Sequence, residues 1–347
     1  MIDPTSNIVV TGLAAISAAG VGLEPLAAAL QENRSCLQPV PEEILPGVHR
    51  RWGKADGFKA SDFMPPLKAR KFDRASLLAV AATGMALKDA GIDPKACDPV
   101  RIGIVLGCGF GGIANSAEFL TGYFQNGVEG LAPMLFPNTV ANAPASNASI
   151  EHGLRGPNAT LVQRFCSAES AFLLACSFLN EGRADVMLTG GADELTPLMV
   201  EAFAAMGQLS GHASGFGEGS GILVLERRGH AAGRGATVRG TVGDIRTIGM
   251  LLPGREAEGI GLLIGEGGNC DLASLSGTPG ALPELEAAMG GTETIDTGAR
   301  IGRSLAMGGT AMASLLASLP NGRRGIHLAI SPEGPCYAME FTGGAPV

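Results

Sequence analysis

Short runs of Val, Ile and Leu, each closed by glycine or a turn and each followed by an alanine-rich or amphipathic stretch, recur along the chain. That alternation allows few folds, because strands separated by helices bury best as layers of sheet and helix. Ile8-Val9-Val10-Thr11-Gly12 reads as a short buried strand, and Leu23 to Gln31 as a helix. Ala75 to Ala90 is a longer helix with Gly91 placed to stop it. Ile102 to Leu106 is a second buried strand, followed by a glycine-rich turn and a helix from about Ile113. Strands at Ala159 to Val162 and Val186 to Thr189 flank a helix at Ala168 to Leu179, and Ile222 to Leu225 adds another strand. The pattern then repeats more weakly. Strands are expected near Val238 to Ile245, Leu272 to Leu275, Ile326 to Ile330 and Ala338 to Phe341. Helices are expected at Glu256 to Leu263, Leu282 to Ala288 and Leu305 to Leu319. The expected class is an α/β layered fold. The two stretches suggest a pseudo-repeat without clear self-similarity.

Composition removes several functions. A net charge of −8 does not favour nucleic acid or an anionic membrane. An acidic protein partner would need a local basic patch, which Arg50, Arg51, Lys68, Arg70 and Lys71 could supply; an ordinary solvated charge cluster explains them equally well. The seven cysteines (36, 97, 108, 166, 176, 270 and 336) form no C-x-x-C pair. They read as reduced thiols of a cytoplasmic protein without structural metal or cofactor. No signal-peptide pattern opens the sequence, and no apolar stretch reaches the ~18 residues of a membrane span.

Several segments, in order, are similar to the β-ketoacyl synthases of the thiolase-fold condensing enzymes. Val9-Val10-Thr11-Gly12-Leu13 through Gly20 resembles that family's opening "VVVTGLG…SPLG". Lys71-Phe72-Asp73-Arg74 and Ala86 to Gly91 resemble its "DR" and "EAL.DAGL" segments. Arg101-Ile102-Gly103-Ile104 through Gly112 resembles "RIGVIVGSGIGG", and Asn138 to Asn158 resembles "N..A..ISIELGLKGPN". Gly182 to Glu194, Ala205 to Ser210 and Gly217 to Glu226 match "G.ADVMLAGGAE", "AMGALS" and "GEGAG.LVLE". The resemblance implies a thiolase-like fold of two fused α-β-α-β-α halves, here 1–230 and a shortened 231–347 in one compact unit. It also implies decarboxylative Claisen condensation, in which a cysteine takes an acyl chain from an acyl carrier protein and two histidines stabilise developing charge.

Set against the family pattern, the catalytic positions are altered. Counting from Gly156 and back from Asp185 places Phe165 on the nucleophile. Cys166 follows it and stays open as an alternative nucleophile if the turn slips by one residue; otherwise it reads as a small buried hydrophobe. Ser276, in Leu275 to Pro279, stands on the first histidine, and an alcohol cannot be an imidazole acid or base. In Ile301 to Thr310, Arg303 stands on the second histidine and Gly298 on the family's lysine. Arginine keeps its charge and only donates, so an ion pair with Asp or Glu is the expected role. Ser331 to Cys336 falls on the gating loop, with Pro332 replacing its phenylalanine, and the segment between Ser210 and Phe216 is shortened. His327 lies in an expected strand and reads as a core or edge residue. Gln163 falls two residues before the position where chain-length factors carry glutamine.

The resemblance thus implies a protein kept for its shape. It would be a non-catalytic, chain-length-factor-like subunit that pairs with an active ketosynthase, meets acyl carrier protein and shapes an acyl tunnel in fatty acid, polyketide or polyene biosynthesis. An active synthase or acyltransferase using Cys166, and a carrier-binding scaffold, are the alternatives. By resemblance, Phe110, Ile113, Ala114 and Ala117 bound the tunnel at the dimer interface. Their spacing puts them on one helical face if that helix begins early.

Overall fold

The computed structural model describes residues 7–47, 49–207, 215–265, 270–277, 283–331 and 333–344. Its longer strands are β1 (Ile8–Ser17), β2 (Ile102–Gly107), β3 (Asn158–Leu161), β4 (Val186–Asp193), β5 (Gly219–Arg227), β6 (Gly240–Ile248), β7 (Leu272–Gly277), β8 (Glu293–Asp296), β9 (Arg324–Ile330) and β10 (Cys336–Gly343). Hydrogen bonding joins them in the order β8-β7-β9-β10-β6-β1-β5-β4-β2-β3. Parallel pairs (β2 with β3 and β4, β7 with β8 and β9) lie at the two ends. Antiparallel pairs, β1 with β5 and β6, form the middle.

The helices that position the site are α1 (Leu23–Gln31), α2 (Arg74–Asp89), α3 (Ile113–Asn126), α4 (Ala143–His152), α5 (Ser167–Asn180), α6 (Pro197–Ala205), α7 (Thr297–Ile301) and α8 (Gly308–Ser318). Alanine-rich faces let α5 and α8 pack closely, and a single core cluster joins them to strands on both sides of residue 230, from Val105 and Leu223 to Met339 and Phe341. The α2 and α4 helices cover the outer face of the first strands. Helices at Glu256–Ile264 and Pro283–Met289 cover the outer face of β7, β9 and β10. The result is one continuous sheet whose two halves lie on either side of α5 and α8, with further helices on the outer faces, which is how strands that read as continuous apolar runs bury both faces.

Sequence expectations and structure differ at several places. The strand expected at Val186 to Thr189 runs to Asp193, and the helix expected from Leu305 begins at Gly308. The α4 helix carries no sequence signal of periodic apolar residues, and α6, with its Thr196 cap, Pro197 and the Val200/Phe203 spacing, was not among the expected helices. Phe110 does not share a helical face with Ile113, Ala114 and Ala117. Gly111 takes φ +77° and α3 begins only at Ile113, so Phe110 precedes the helix, with its ring 6.0 Å from that of Phe203. Pro332, the Ser210 to His212 segment, and Thr278 and Pro279 lie outside the described residues.

Candidate functional site

The turn before α5 holds the first two candidates. Arg164, Phe165 and Cys166 form a single 3-10 turn, and Arg164 takes φ +52°, an unusual backbone state for a non-glycine residue. Phe165 is half-buried and packs against a cluster of Val40, Leu45, Leu195, Val200, Phe203 and Phe216. Cys166 is fully buried. Burial, and then the neighbouring Glu169 carboxylate, push its thiol far above the ordinary range, opposite to what a nucleophile needs.

One turn further along α5 stands a residue that the sequence reading did not single out. Glu169 is wholly buried, and its Oε1 accepts from Ser276 Oγ at the end of β7. The same oxygen lies 2.9 Å from His327 Nε2, on β9. The other ring nitrogen of His327 lies 2.7 Å from Ser274 Oγ, its direct neighbour across the parallel β7–β9 pair. His327 Nε2 is also 3.3 Å from Ser276 Oγ. Ser276, expected from the sequence at the first histidine position, is therefore joined by a buried imidazole from the adjacent strand. A Cβ at residue 308 would lie 2.0 Å from Glu169 Oε1, so only glycine lets the carboxylate in against α8. Two clues were legible in sequence, a carboxylate inside the apolar run "FCSAESAFLLAC" and a histidine inside "RGIHLAI".

Arg303 makes the ion pair expected of it. Its Nη2 donates to Asp296 Oδ2 at 2.6 Å, and Asp296 in turn caps α7 by accepting from Ala299 N. Its side chain lies over Gly298, expected from the sequence at the family's lysine position, where a Cβ would sit 2.8 Å from Arg303 Cγ. Glycine at 298 and arginine at 303 thus fill one space together. Gln163 is engaged elsewhere: its Oε1 accepts from Ser170 Oγ and, at 3.3 Å, from the Tyr337 hydroxyl. Arg164 forms a two-pronged ion pair with Glu333, at 2.7 and 3.2 Å, across the turn and the loop after β9.

Phe110 sits at the mouth of the aromatic cluster, its ring 6.0 Å from Phe203, which lies 4.2 Å from Phe216. Ile113 and Ala117 are half-buried and Ala114 is exposed. No residue of α3 is buried, and its Leu120, Tyr123 and Phe124, with Val128, Met134 and Phe136 beyond it, leave a broad apolar face open. Among the described residues no cluster of three or more His, Cys, Asp and Glu is arranged to hold a metal ion. Nor is any helix there long and apolar enough to cross a membrane.

Comparison with known proteins agrees with the geometry. The family described as "Beta-ketoacyl synthase, N-terminal domain" matches residues 5–231. The chain is 32% identical over 259 residues to 3-oxoacyl-[acyl-carrier-protein] synthase 2 of Rhizobium meliloti (strain 1021), covering 67% of this chain and 62% of that one. Against the protein of the same name from Vibrio harveyi it is 28% identical over 346 residues, covering 94% and 78%. The aligned regions span 62%, 60% and 61% of the first three curated relatives, about three fifths of their length. Among solved structures, the ishigamide ketosynthase/chain length factor superposes with a TM-score of 0.82 at 21% identity, covering 97% of this chain and 99% of that one. A type II polyketide synthase acyl-carrier protein in complex with its ketosynthase bound to the hexaketide gives 0.79 at 21%, with the same coverage. The fold is the thiolase-like ketosynthase fold.

Proposed function

The chain belongs to the β-ketoacyl synthase family, and from that premise we propose that it is a ketosynthase-shaped subunit without condensing chemistry of its own, which pairs with an active ketosynthase and walls its acyl channel. The turn before α5 supports this most directly. Phe165 offers no nucleophile there, and the neighbouring Cys166 thiol is buried beside a carboxylate that opposes its ionisation. The two histidine positions are held by Ser276, hydrogen-bonded to Glu169, and by Arg303, paired with Asp296. Neither can exchange protons as an imidazole does near neutral pH.

The open apolar face of α3 is the surface such a partner would cover, and Phe110 beside it is the bulky ring that would stop an acyl chain. One structural neighbour bears the name ketosynthase/chain length factor, in keeping with a paired role. Carrier protein would meet the basic patch: Arg70 and Lys71 are exposed beside the exposed Leu67, while Lys68 is paired with Glu151 at 2.5 Å. The curated relatives are named as synthases, which keeps an active enzyme using Cys166 as the second reading.

Two measurements separate these readings. The purified chain, given acyl- and malonyl-carrier protein, should yield no ketoacyl product; product that vanishes in Cys166→Ala establishes the second reading instead. Reconstituted with a ketosynthase that carries an intact Cys-His-His set, Phe110→Ala should lengthen the products and Ala114→Phe shorten them. Unchanged distributions for both variants in an intact complex would remove the channel role.

A further inference from the structure

The turn that carries Phe110 is held on both sides by one short segment. Asp193 and Glu194, the last residue of β4 and the one after it, are both buried. Asp193 Oδ1 accepts from Gly109 N, just before Phe110, at 2.7 Å. Glu194 Oε1 accepts from Ala114 N, beyond Phe110, at 2.9 Å. Two consecutive acids therefore grip the backbone on either side of the ring. Asp193 also reaches a second segment, since its Oδ2 accepts from Ala306 N at 2.7 Å. A Cβ at residue 109 would lie 2.8 Å from Leu305 Cβ and 2.9 Å from Asp193 Oδ1, so glycine lets the three meet.

The grip at Ala114 is not a local helix cap. Ala114 is the second residue of α3, and the N–H groups of a first turn have no acceptor within their own helix. The N-cap, Gly112, brings no side chain, and Glu194 supplies the acceptor from another element. A carboxylate suits that place, because the aligned amides of a helix leave positive charge at its start. Between the two anchors the chain has little freedom. Gly111 N donates to Cys108 Sγ at 3.1 Å. A Cβ at Gly111 would lie 2.7 Å from Ala141 Cα, and one at Gly112 would lie 2.1 Å from Asn138 O.

We propose that Asp193 and Glu194 are positioning residues, which fix where Phe110 stands and thereby the length of acyl chain that the channel admits. The inference rests on the reading that the chain walls an acyl channel, and it adds what sets the cut-off. The two acids touch no acyl chain; they act through the backbone at Gly109 and Ala114. A ring held at both sides of its own residue gives a sharp limit on length. A ring on a loosened turn gives way to longer chains.

The test places 4-fluorophenylalanine at residue 110 of the purified chain and follows its fluorine NMR signal. Glu194→Gln keeps an oxygen for Ala114 N, while Glu194→Leu, of similar size, keeps none. The signal should stay at its wild-type position in the first and move or broaden in the second. The same signal in both variants, moved or unmoved, would overturn the proposal. Hydrogen exchange of the wild-type chain needs no variant. The Gly109 and Ala114 amides should exchange at least about tenfold more slowly than unbonded amides, and exchange at the unbonded rate would overturn the proposal even if Glu194→Leu does not fold. In the reconstituted pair, Glu194→Leu and Asp193→Ala should shift products toward longer chains, and Glu194→Gln should not. Phe110→Ala tests the channel separately. Lengths that respond to Phe110→Ala but not to Glu194→Leu or Asp193→Ala overturn the positioning role and leave the channel. Lengths that none of these variants moves, with a fluorine signal that still responds to Glu194→Leu alone, keep the grip on Phe110 and remove the channel.

Discussion

Glu169 and His327 meet 2.9 Å apart in the interior, 158 residues apart in sequence and with neither exposed to solvent. They tie the start of α5, where the family's nucleophile would stand, to β9. The remaining hydrogen-bonding positions are filled by Ser274 and Ser276, except Glu169 Oε2, which has no partner among the described residues. A pair of this kind contributes little net stability over an apolar pair of the same size, because both groups lose hydration. Removing one member is another matter, since it strands the other.

Glu169→Leu and His327→Leu should each destabilise the chain by about 3–5 kcal/mol, whereas the double variant should cost well below their sum. Urea denaturation of the four proteins measures the coupling. Additive losses would show that the two side chains act independently.

Such a pair marks the limit of what the sequence displays. The strands at Ile8 and Ile102 were legible because apolar runs ended by glycine have few other uses, and the helix at Ala75 because Gly91 follows it. The family's ordered motifs allowed the catalytic positions to be counted, and the Arg303 ion pair followed from arginine's chemistry. Glu169 escaped because its partners come from β7 and β9, and periodicity carries no information on contacts between distant segments. The shared face of Phe110, Ile113, Ala114 and Ala117 was conditional on a helix that begins early; α3 begins at Ile113, after the left-handed Gly111, so Phe110 lies outside it. The α4 helix escaped because "APASNASIEH" offers no apolar stripe to count.

Cys166 and Phe165 give a second prediction. Iodoacetamide reacts with thiolates, and burial holds the Cys166 thiol protonated. Mass spectrometry of the native chain should find exposed Cys97 labelled and Cys166 unlabelled until denaturant is added. Phe165, half-buried rather than sealed in the core, should cost about 2 kcal/mol as Phe165→Ala, below the usual range for a fully buried ring. On the proposed reading, in which Ser276 and Arg303 stand in both histidine positions, Phe165→Cys should bring no condensing turnover. Rapid native labelling of Cys166, or turnover by Phe165→Cys, would contradict this account of the turn.

The buried acids predict how stability follows pH. Burial raises Glu194 from 4.5 to about 7 and Asp193 from 3.8 to about 6, although backbone N–H groups of Gly109 and Ala306 offset part of the latter. Below pH 4.5 both folded and unfolded chains hold the Glu194 proton. Between 4.5 and 7 the folded chain holds more of it, so stability falls as pH rises, by roughly 3 kcal/mol from this residue. His152, whose pKa burial lowers, acts oppositely as pH drops through 6.5, so the wild-type curve alone mixes the two. The difference between wild type and Glu194→Gln isolates the acid. Their urea midpoints should diverge from pH 5 to pH 8 in favour of the variant, and parallel curves would mean that Glu194 ionises normally.

The face of α3 supplies the last prediction. Phe124 is 79% exposed and Met134 is 82% exposed, with Leu120, Tyr123 and Phe136 nearby, more contiguous apolar surface than scattered exposed side chains would give. None of the residues of α3 itself is buried, so replacing an outward ring removes little packing from the isolated chain. Phe124→Asp should leave thermal melting of the single chain within about 0.5 kcal/mol of wild type, as for surface changes that break no special feature. On the proposed pairing, a charged carboxylate at the centre of the face the partner would cover is costly to dehydrate, so the same variant should lose the co-purification with an active ketosynthase expected of wild type. Glu118, already exposed on the same helix, provides the control: Glu118→Asp should pair normally. Full retention of the partner by Phe124→Asp would place the interface elsewhere on the molecule.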